Sequence, residues 1–395
     1  MRVTHVITRL IVGGAQENTI ASVLGLRERP GLDVRLIAGP TTGPEGSLEA
    51  LVAGQPGLFT LVPSLIRAVH PAQDWAAYRE LRRRFRQSRP DIVHTHSGKA
   101  GILGRLAARA AGVPIIVHTV HGPSFGAFQG PAANLVFRAA ERLAGRATTQ
   151  FVVVAHAMTD QYLAAGIGRW EQYTRILSGF PLEPYLTAQN DPAWRSRLGL
   201  APTDFVVGKI ARLFKLKGHD DLFAVAPGLV RQCPQMKFLL VGDGEWRTRF
   251  EELARRTGLA KHIVFAGLVP PAEVSRHVGV MDALVHLSFR EGLPRALPQA
   301  LAAGKPVVAY DCDGAREVCL DGETGFLVPA GDRATLAQRL LTLAGERERG
   351  ARMGARGREL VREQFSVQHL VDELHRLYLR LAARHGLAGR AAAAH

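Results

Sequence analysis

Short apolar runs alternate with longer stretches of helical periodicity along the whole chain. Val3 to Thr8 reads as a strand, followed by Gly13-Gly14 and a helical run from Ala15 to Leu26. Strand patterns recur at Val34 to Ala38, Ile92 to His94, Ile115 to His118 and Phe151 to Val154, with helical patterns at Trp75 to Gln87 and Lys99 to Ala110. Apolar runs of this length, separated by helices, predict parallel strands buried on both faces. Turn chemistry then gathers at Ser178-Gly179-Phe180-Pro181, Glu183-Pro184 and Gln189-Asn190-Asp191-Pro192, which reads as a linker. The alternation restarts beyond it. Strands are expected at Phe205 to Ile210, Lys237 to Val241, Ile263 to Phe265, Ala283 to Leu287, Val307 to Ala309 and Gly325 to Val328. The pattern predicts an α/β protein of two doubly wound parallel-sheet, Rossmann-like domains, residues 1–180 and 181–364. Ligands of such domains bind outside the carboxyl ends of the strands, here expected in a cleft between the two. From about Arg333 to Arg384 the pattern is helical, with Gly345, Gly350 and Gly357 read as interruptions, and the Ala-rich end beyond Gly386 reads as frayed.

Composition narrows the class. With 395 residues, 47% of them hydrophobic and 22% charged, the chain can bury a sizeable core, which excludes a disordered chain or a small disulfide scaffold. Three cysteines, Cys233, Cys312 and Cys319, are too few and too badly spaced for a disulfide frame or a Cys-rich zinc site. No apolar run reaches the roughly 18 residues of a membrane span. The first residues are interrupted by Arg9 and lack the pattern of a secretory signal. The expectation is a cytoplasmic protein. The net charge of +15 suits anionic partners, namely nucleic acid, a membrane surface or phosphate-bearing substrates, and is equally what the arginine richness of a GC-rich genome would give.

Several stretches carry candidate chemistry. Gly13-Gly14 follows the first strand and opens a helix, so bare amides and a helix N-terminus could meet an anion; a plain turn is the competing reading. The Gly-x-Gly-x-x-Gly fingerprint of nicotinamide enzymes is absent, and Ser97-Gly98-Lys99-Ala100 lacks the other residues of a Walker loop. Arg212, Lys215 and Lys217 sit between a strand and a helix, where a phosphate-binding pair belongs, unless they form a solvated basic turn. His94, His96, His118 and His121 lie at neighbouring strand ends. Zinc is one reading, weakened by the alternating faces of His94-Thr95-His96 and the lack of acidic neighbours. The other places His121, just before Gly122-Pro123, in the crevice as a hydrogen-bonding group or base.

The most specific stretch runs Arg290-Glu291-Gly292-Leu293-Pro294-Arg295-Ala296-Leu297-Pro298-Gln299 and ends in Ala303-Gly304-Lys305-Pro306-Val307-Val308. With Asp313-Gly314-x-x-Glu317 and Gly322-x-x-Gly325-Phe326-Leu327-Val328, it resembles the retaining glycosyltransferases of family 4, which have the two-domain GT-B fold. The resemblance covers nearly the whole chain. It implies that Gly13 and Gly14 approach the donor phosphates, that Arg212 and Lys217 bind the donor diphosphate, and that Gly242, Asp243 and Gly244 form a loop beside the donor. It implies that Glu291 and the backbone of Gly292, Leu293 and Pro294 hold donor-sugar hydroxyls, and that His121 lies near the reacting carbon. The C-terminal helix, about 365–384, would cross back onto the first domain.

Two departures from the family stand out. The second glutamate of the Glu-x7-Glu motif is Gln299, which would face the donor ribose with a neutral group. Asp311-Cys312-Asp313 mimics a metal-binding Asp-x-Asp, but it falls within the family's tail signature and is read as a coincidence. The resemblance therefore implies a metal-independent, retaining hexosyltransferase with no cofactor. Its donor would be a nucleotide sugar, a UDP-sugar by general family usage, and its acceptor a glycan or lipid-linked sugar in cell-envelope or extracellular polysaccharide synthesis. Nucleic acid is not expected as a partner. Arg79, Arg82, Arg83, Arg84, Arg86 and Arg89 crowd one helix that could rest on anionic lipid or be merely solvated. The rival functions are a sugar-nucleotide epimerase of the same fold and a non-enzymatic protein that binds anionic surfaces.

Overall fold

The computed structural model describes residues 1–42, 46–126 and 128–387. The chain forms two compact units. The first takes in Met1–Phe180 and the chain from Val367 onward; the second is Pro181–Ser366.

The first unit holds a seven-stranded parallel sheet of β1 (Arg2–Ile7), β2 (Asp33–Ala38), β3 (Phe59–Leu61), β4 (Ile92–His96), β5 (Ile115–Val120), β6 (Gln150–Val153) and β7 (Tyr173–Arg175). Their order is β3-β2-β1-β4-β5-β6-β7. The winding reverses between β1 and β4, the place where such sheets open a crevice. Alternation along β1 decides what lies under each face. Val3 and Ile7 pack with the helices Gly14–Arg27 and Val367–Arg384, and Val6 packs with Pro71–Ser88 and Gly98–Ala111. The returning C-terminal helix buries Leu370, Leu374, Leu377 and Tyr378 in this core, and its Asp372 pairs with Arg29 at 2.5 Å.

The second unit has six parallel strands, β8 (Phe205–Ile210), β9 (Met236–Val241), β10 (Ile263–Gly267), β11 (Ala283–His286), β12 (Val307–Tyr310) and β13 (Gly325–Val328). The order β10-β9-β8-β11-β12-β13 reverses between β8 and β11. Val207, Phe238 and Val285 share a core with the helices His219–Gln232 and Arg333–Gly345.

The structure adds two strands and corrects one expectation. The short edge strands β3 and β7 were not legible, because three residues leave no periodicity to read. Gly350 and Gly357 do not interrupt the helical tail; both lie inside the helix Arg347–Gln364. Their reason is contact rather than a break. A Cβ on Gly357 would stand 2.4 Å from Leu301, and one on neighbouring Gly354 only 1.9 Å from the Gly304 carbonyl oxygen, so the bare helix surface lets Ala296–Ala302 and its following turn approach. Among the described residues, no helix is long and apolar enough to cross a membrane.

Candidate active site

In the second unit, three loops leave the carboxyl ends of β8, β9 and β11 and lock together. Leu213 N–H donates to the Asp243 carbonyl at 3.0 Å, and Phe289 N–H donates to the Leu216 carbonyl at 2.9 Å. The approach depends on glycine. Gly218 has φ 67° and Gly242 φ 135°, and a Cβ would lie 2.0 Å from the Leu287 carbonyl oxygen at the first and 2.2 Å from that of Ala211 at the second. Any side chain at these two positions would strain the backbone and push the loops apart.

The loops bring two predicted residues into contact at the winding reversal. Lys217 Nζ donates to Glu291 Oε1 at 2.5 Å. His286, at the end of β11, places Nε2 3.3 Å from the same oxygen. Burial alone would raise the Glu291 carboxyl, but contact with His286 and the charge of Lys217 hold it well below the usual range, so it stays ionised. Its backbone N–H donates to Asp313 Oδ2 at 2.8 Å, and Gly292 accepts from Gly314 N–H at 3.0 Å. Asp313 thereby orients the Glu291 loop, while Asp311 pairs with Arg316. Both carboxylates of the Asp-x-Asp stretch thus serve contacts within the protein. Arg212 is exposed in the β8 loop with its guanidinium 5.5 Å from the Phe214 ring centre. Pro294 accepts from Leu297 N–H as the helix Ala296–Ala302 begins, and Leu293 is partly exposed beside it. From that helix, Gln299 Nε2 donates to Tyr185 Oη at 2.7 Å, which leaves its carbonyl oxygen as an acceptor.

Some of this site was not legible in the sequence. Lys209 is buried on β8, and burial, with the neighbouring charge of Lys217, pulls its ammonium down to about 7. A lysine inside an apolar strand gives no motif, and the same holds for His286.

In the first unit, Gly13 precedes the helix Gly14–Arg27, and beyond its chain neighbours and its own helix backbone no atom of the described residues lies within 4 Å of where a Cβ on Gly14 would stand. Gly13 has φ 172°, an extended conformation open to any residue. His121 follows β5, with Nε2 3.2 Å from His96 Nδ1. Burial pushes its imidazole down to about 4. The histidines of β4 are also placed differently from expectation. Only Thr95 points to the other face; His94 and His96 share one face, where they meet His5 of β1 and Tyr378. His5, His94 and His96 form the one His, Cys, Asp or Glu cluster among the described residues with the spacing to hold a metal ion. His118 lies on the opposite face against Thr95.

Two parallel sheets, each reversing its winding once, define a doubly wound α/β architecture in both units. Residues 13–175 match the glycosyl transferase 4-like domain, and residues 190–360 match the glycosyl transferases group 1 domain. The chain is 27% identical over 322 residues to an Escherichia coli UDP-Gal:alpha-D-GlcNAc-diphosphoundecaprenol alpha-1,3-galactosyltransferase, covering 80% of this chain and 82% of that protein. It is 30% identical over 279 residues to a GDP-mannose-dependent alpha-(1-6)-phosphatidylinositol monomannoside mannosyltransferase of Mycolicibacterium smegmatis, covering 68% and 71%. Its fold matches the crystal structure of Anabaena Alr3699/HepE in complex with UDP-glucose, with a TM-score of 0.80 and 23% identity over 96% of this chain and 100% of that one. The chain belongs to the family 4 glycosyltransferases and has the GT-B fold.

Proposed function

We propose that the enzyme moves a hexosyl group from a nucleoside-diphosphate sugar, a UDP-sugar, to a glycan or lipid-linked acceptor in cell-envelope or extracellular polysaccharide synthesis. We further propose that it retains the anomeric configuration and needs no metal. The observation that carries this reading is the Lys217–Glu291 pair at the winding reversal of the second sheet, with Arg212 in the same loop. UDP-glucose in the Anabaena structure and UDP-Gal in the name of the E. coli relative support a uridine donor. The phosphatidylinositol and diphosphoundecaprenol acceptors in the relatives' names support a lipid-linked one. The GDP-mannose relative keeps a guanosine donor as the second reading.

Transfer breaks the bond from the anomeric carbon to the diphosphate oxygen and forms a bond from that carbon to an acceptor hydroxyl oxygen. Negative charge grows on the leaving diphosphate, where Arg212 and Lys217 stabilise it, assisted by the amides at Gly13 and Gly14. Glu291 and the backbone of Gly292, Leu293 and Pro294 orient the sugar through its hydroxyls. The acceptor proton passes to the leaving phosphate oxygen as attack occurs on the same face. His121 hydrogen-bonds the sugar, Gln299 turns its free carbonyl oxygen to a ribose hydroxyl, and Gly242 admits the donor beside its loop. The reaction takes place in the cytoplasm, at the inner face of the membrane where the acceptor is lipid-linked. In the helix Pro71–Ser88, Arg83 and Arg84 already share Glu80, which lowers the charge that helix offers to anionic lipid.

Labelled UDP-sugars and GDP-mannose, incubated with a lipid-linked acceptor with and without EDTA, test the reading. Label should reach the acceptor from a UDP-sugar, with retained configuration and no loss in EDTA. Transfer from GDP-mannose alone would reject the uridine donor. Loss in EDTA that magnesium restores would reject metal independence, and epimerised donor without transfer would favour an epimerase.

A further inference from the structure

Thr119, His94, Tyr378, His5, His96 and His121 stand in one file of hydrogen bonds inside the first unit. His94 Nε2 lies 2.6 Å from Thr119 Oγ1, and His94 Nδ1 lies 2.5 Å from Tyr378 Oη. Tyr378 Oη lies 3.3 Å from His5 Nε2, His5 Nδ1 lies 2.9 Å from His96 Nε2, and His96 Nδ1 lies 3.2 Å from His121 Nε2. Both ring nitrogens of His5, His94 and His96 are used. These three histidines and Tyr378 are buried, and Val3 and Ile7 flank His5 on the same apolar face.

A neutral imidazole carries one N–H and one lone pair, so each ring passes the direction of its hydrogen bonds to the next. Burial keeps these rings neutral: His5 is pushed down to about 3, and His94 and His96 well below the usual range. Tyr378 has one proton to give, and its choice sets the direction of the file. The bond at Thr119 fits either direction. At Tyr378 the two neighbours differ, and a hydroxyl proton goes to the acceptor at 2.5 Å rather than the one at 3.3 Å. Tyr378 then donates to His94, and His94 donates to Thr119. On its other side Tyr378 accepts from His5, His5 from His96, and His96 from His121.

We propose that Tyr378 is a positioning residue which, acting through His5 and His96, holds His121 as its Nε2–H tautomer with Nδ1 free to accept a hydrogen bond from a donor-sugar hydroxyl. The link to catalysis rests on the reading of His121 given above; the tautomer does not. The opposite direction would turn His121 Nδ1 into a donor, so the file sets the polarity that the ring offers to substrate.

Nuclear magnetic resonance of the full chain carrying 15N-histidine reads each ring tautomer without substrate, with His121 assigned from His121→Gln. The native protein should show His121 as Nε2–H alone, and Tyr378→Phe should turn that signal into a mixture of tautomers. His96→Gln should preserve it, because Gln accepts through Oε1 and donates through Nε2, whereas His96→Leu should lose it. If Tyr378→Phe does not fold, the two His96 variants carry the test. In turnover, His96→Leu should lower kcat by up to about tenfold, the worth of one neutral hydrogen bond, with the donor KM little changed, and His96→Gln should restore it. A native Nδ1–H tautomer, or a tautomer indifferent to both Tyr378→Phe and His96→Leu, would overturn the proposal. So would one equivalent of metal bound by the purified chain through His5, His94 and His96. Full activity in His121→Ala would instead remove the catalytic reading of His121 and leave the tautomer result standing.

Discussion

The two sheets reverse their winding at equivalent places, between β1 and β4 and between β8 and β11, yet the groups gathered there differ in kind. In the first unit they are imidazoles, buried or partly buried and kept uncharged. In the second they are a lysine and an ionised glutamate, paired at 2.5 Å and each about one-fifth exposed. Pairing accounts for the difference. An apolar face strips water from the histidines, so neutrality costs less than charge, while contact with His286 and the charge of Lys217 keep Glu291 ionised against its own burial. The proposed function uses this difference: uncharged imidazoles of the first unit to hydrogen-bond a sugar, and the ionic pair of the second to meet the charge that develops on a leaving diphosphate.

Stability should divide along the same line. The Arg105–Glu141 pair of the first unit is fully buried at 2.5 Å, and Glu141 also accepts from Ser124 Oγ at 2.9 Å. Glu141→Ala strands a buried guanidinium and should cost about 3–5 kcal/mol in denaturant unfolding. Glu291→Gln, at a partly exposed pair, should cost about 1 kcal/mol or less while abolishing most turnover. Equal losses of stability would end the contrast.

Acid should separate the units next. An unfolded histidine takes up its proton near pH 6.5, but folded His121 resists until about 4 and His5 until about 3. The unfolded state thus binds more protons in this window. Stability is fully present above pH 6.5 and falls as the pH drops towards 4, by up to about 1.4 kcal/mol per pH unit for each such histidine. His94, His96 and His118 add to the effect in the first unit, against His219 and His286 in the second. Hydrogen exchange at pH 7 and pH 5 should show β1, β4 and β5 losing protection before β8, β9 and β11. The reverse order would contradict the placement of uncharged histidines.

The smallest effect concerns Gln299. Its amide spends a donor on Tyr185 and keeps one neutral acceptor, worth about 0.5–1.5 kcal/mol. Calorimetry should find donor binding weakened by up to about tenfold in Gln299→Ala and less in Gln299→Glu. Unchanged binding in the alanine variant would remove Gln299 from the ribose.

Much of this was legible because it is periodic or local. The longer strands show as apolar runs, and the Glu291 to Val308 stretch carries its turn and helix signals in order. The missing parts depend on residues distant in sequence. Tyr378 meets His5 across the whole first unit, and no spacing announces that pairing. Along β4 alone His94 and His96 have only each other as neighbours of the same kind, whereas the third histidine comes from the neighbouring strand at the same register, His5 opposite His94. Lys209 looked like any polar residue on a strand, because only three-dimensional packing removes its water.

The proposed function requires the ionic reversal in the second unit to receive the diphosphate of a sugar nucleotide. Calorimetric titration of UDP-glucose into the native chain and into Lys217→Ala, with EDTA present, examines that contact alone. The native chain should bind, and the variant should lose about 1.5–3 kcal/mol, roughly a tenfold to 150-fold weaker affinity, with its fold intact. Equal affinity in the two proteins would contradict the claim and move the diphosphate away from Lys217.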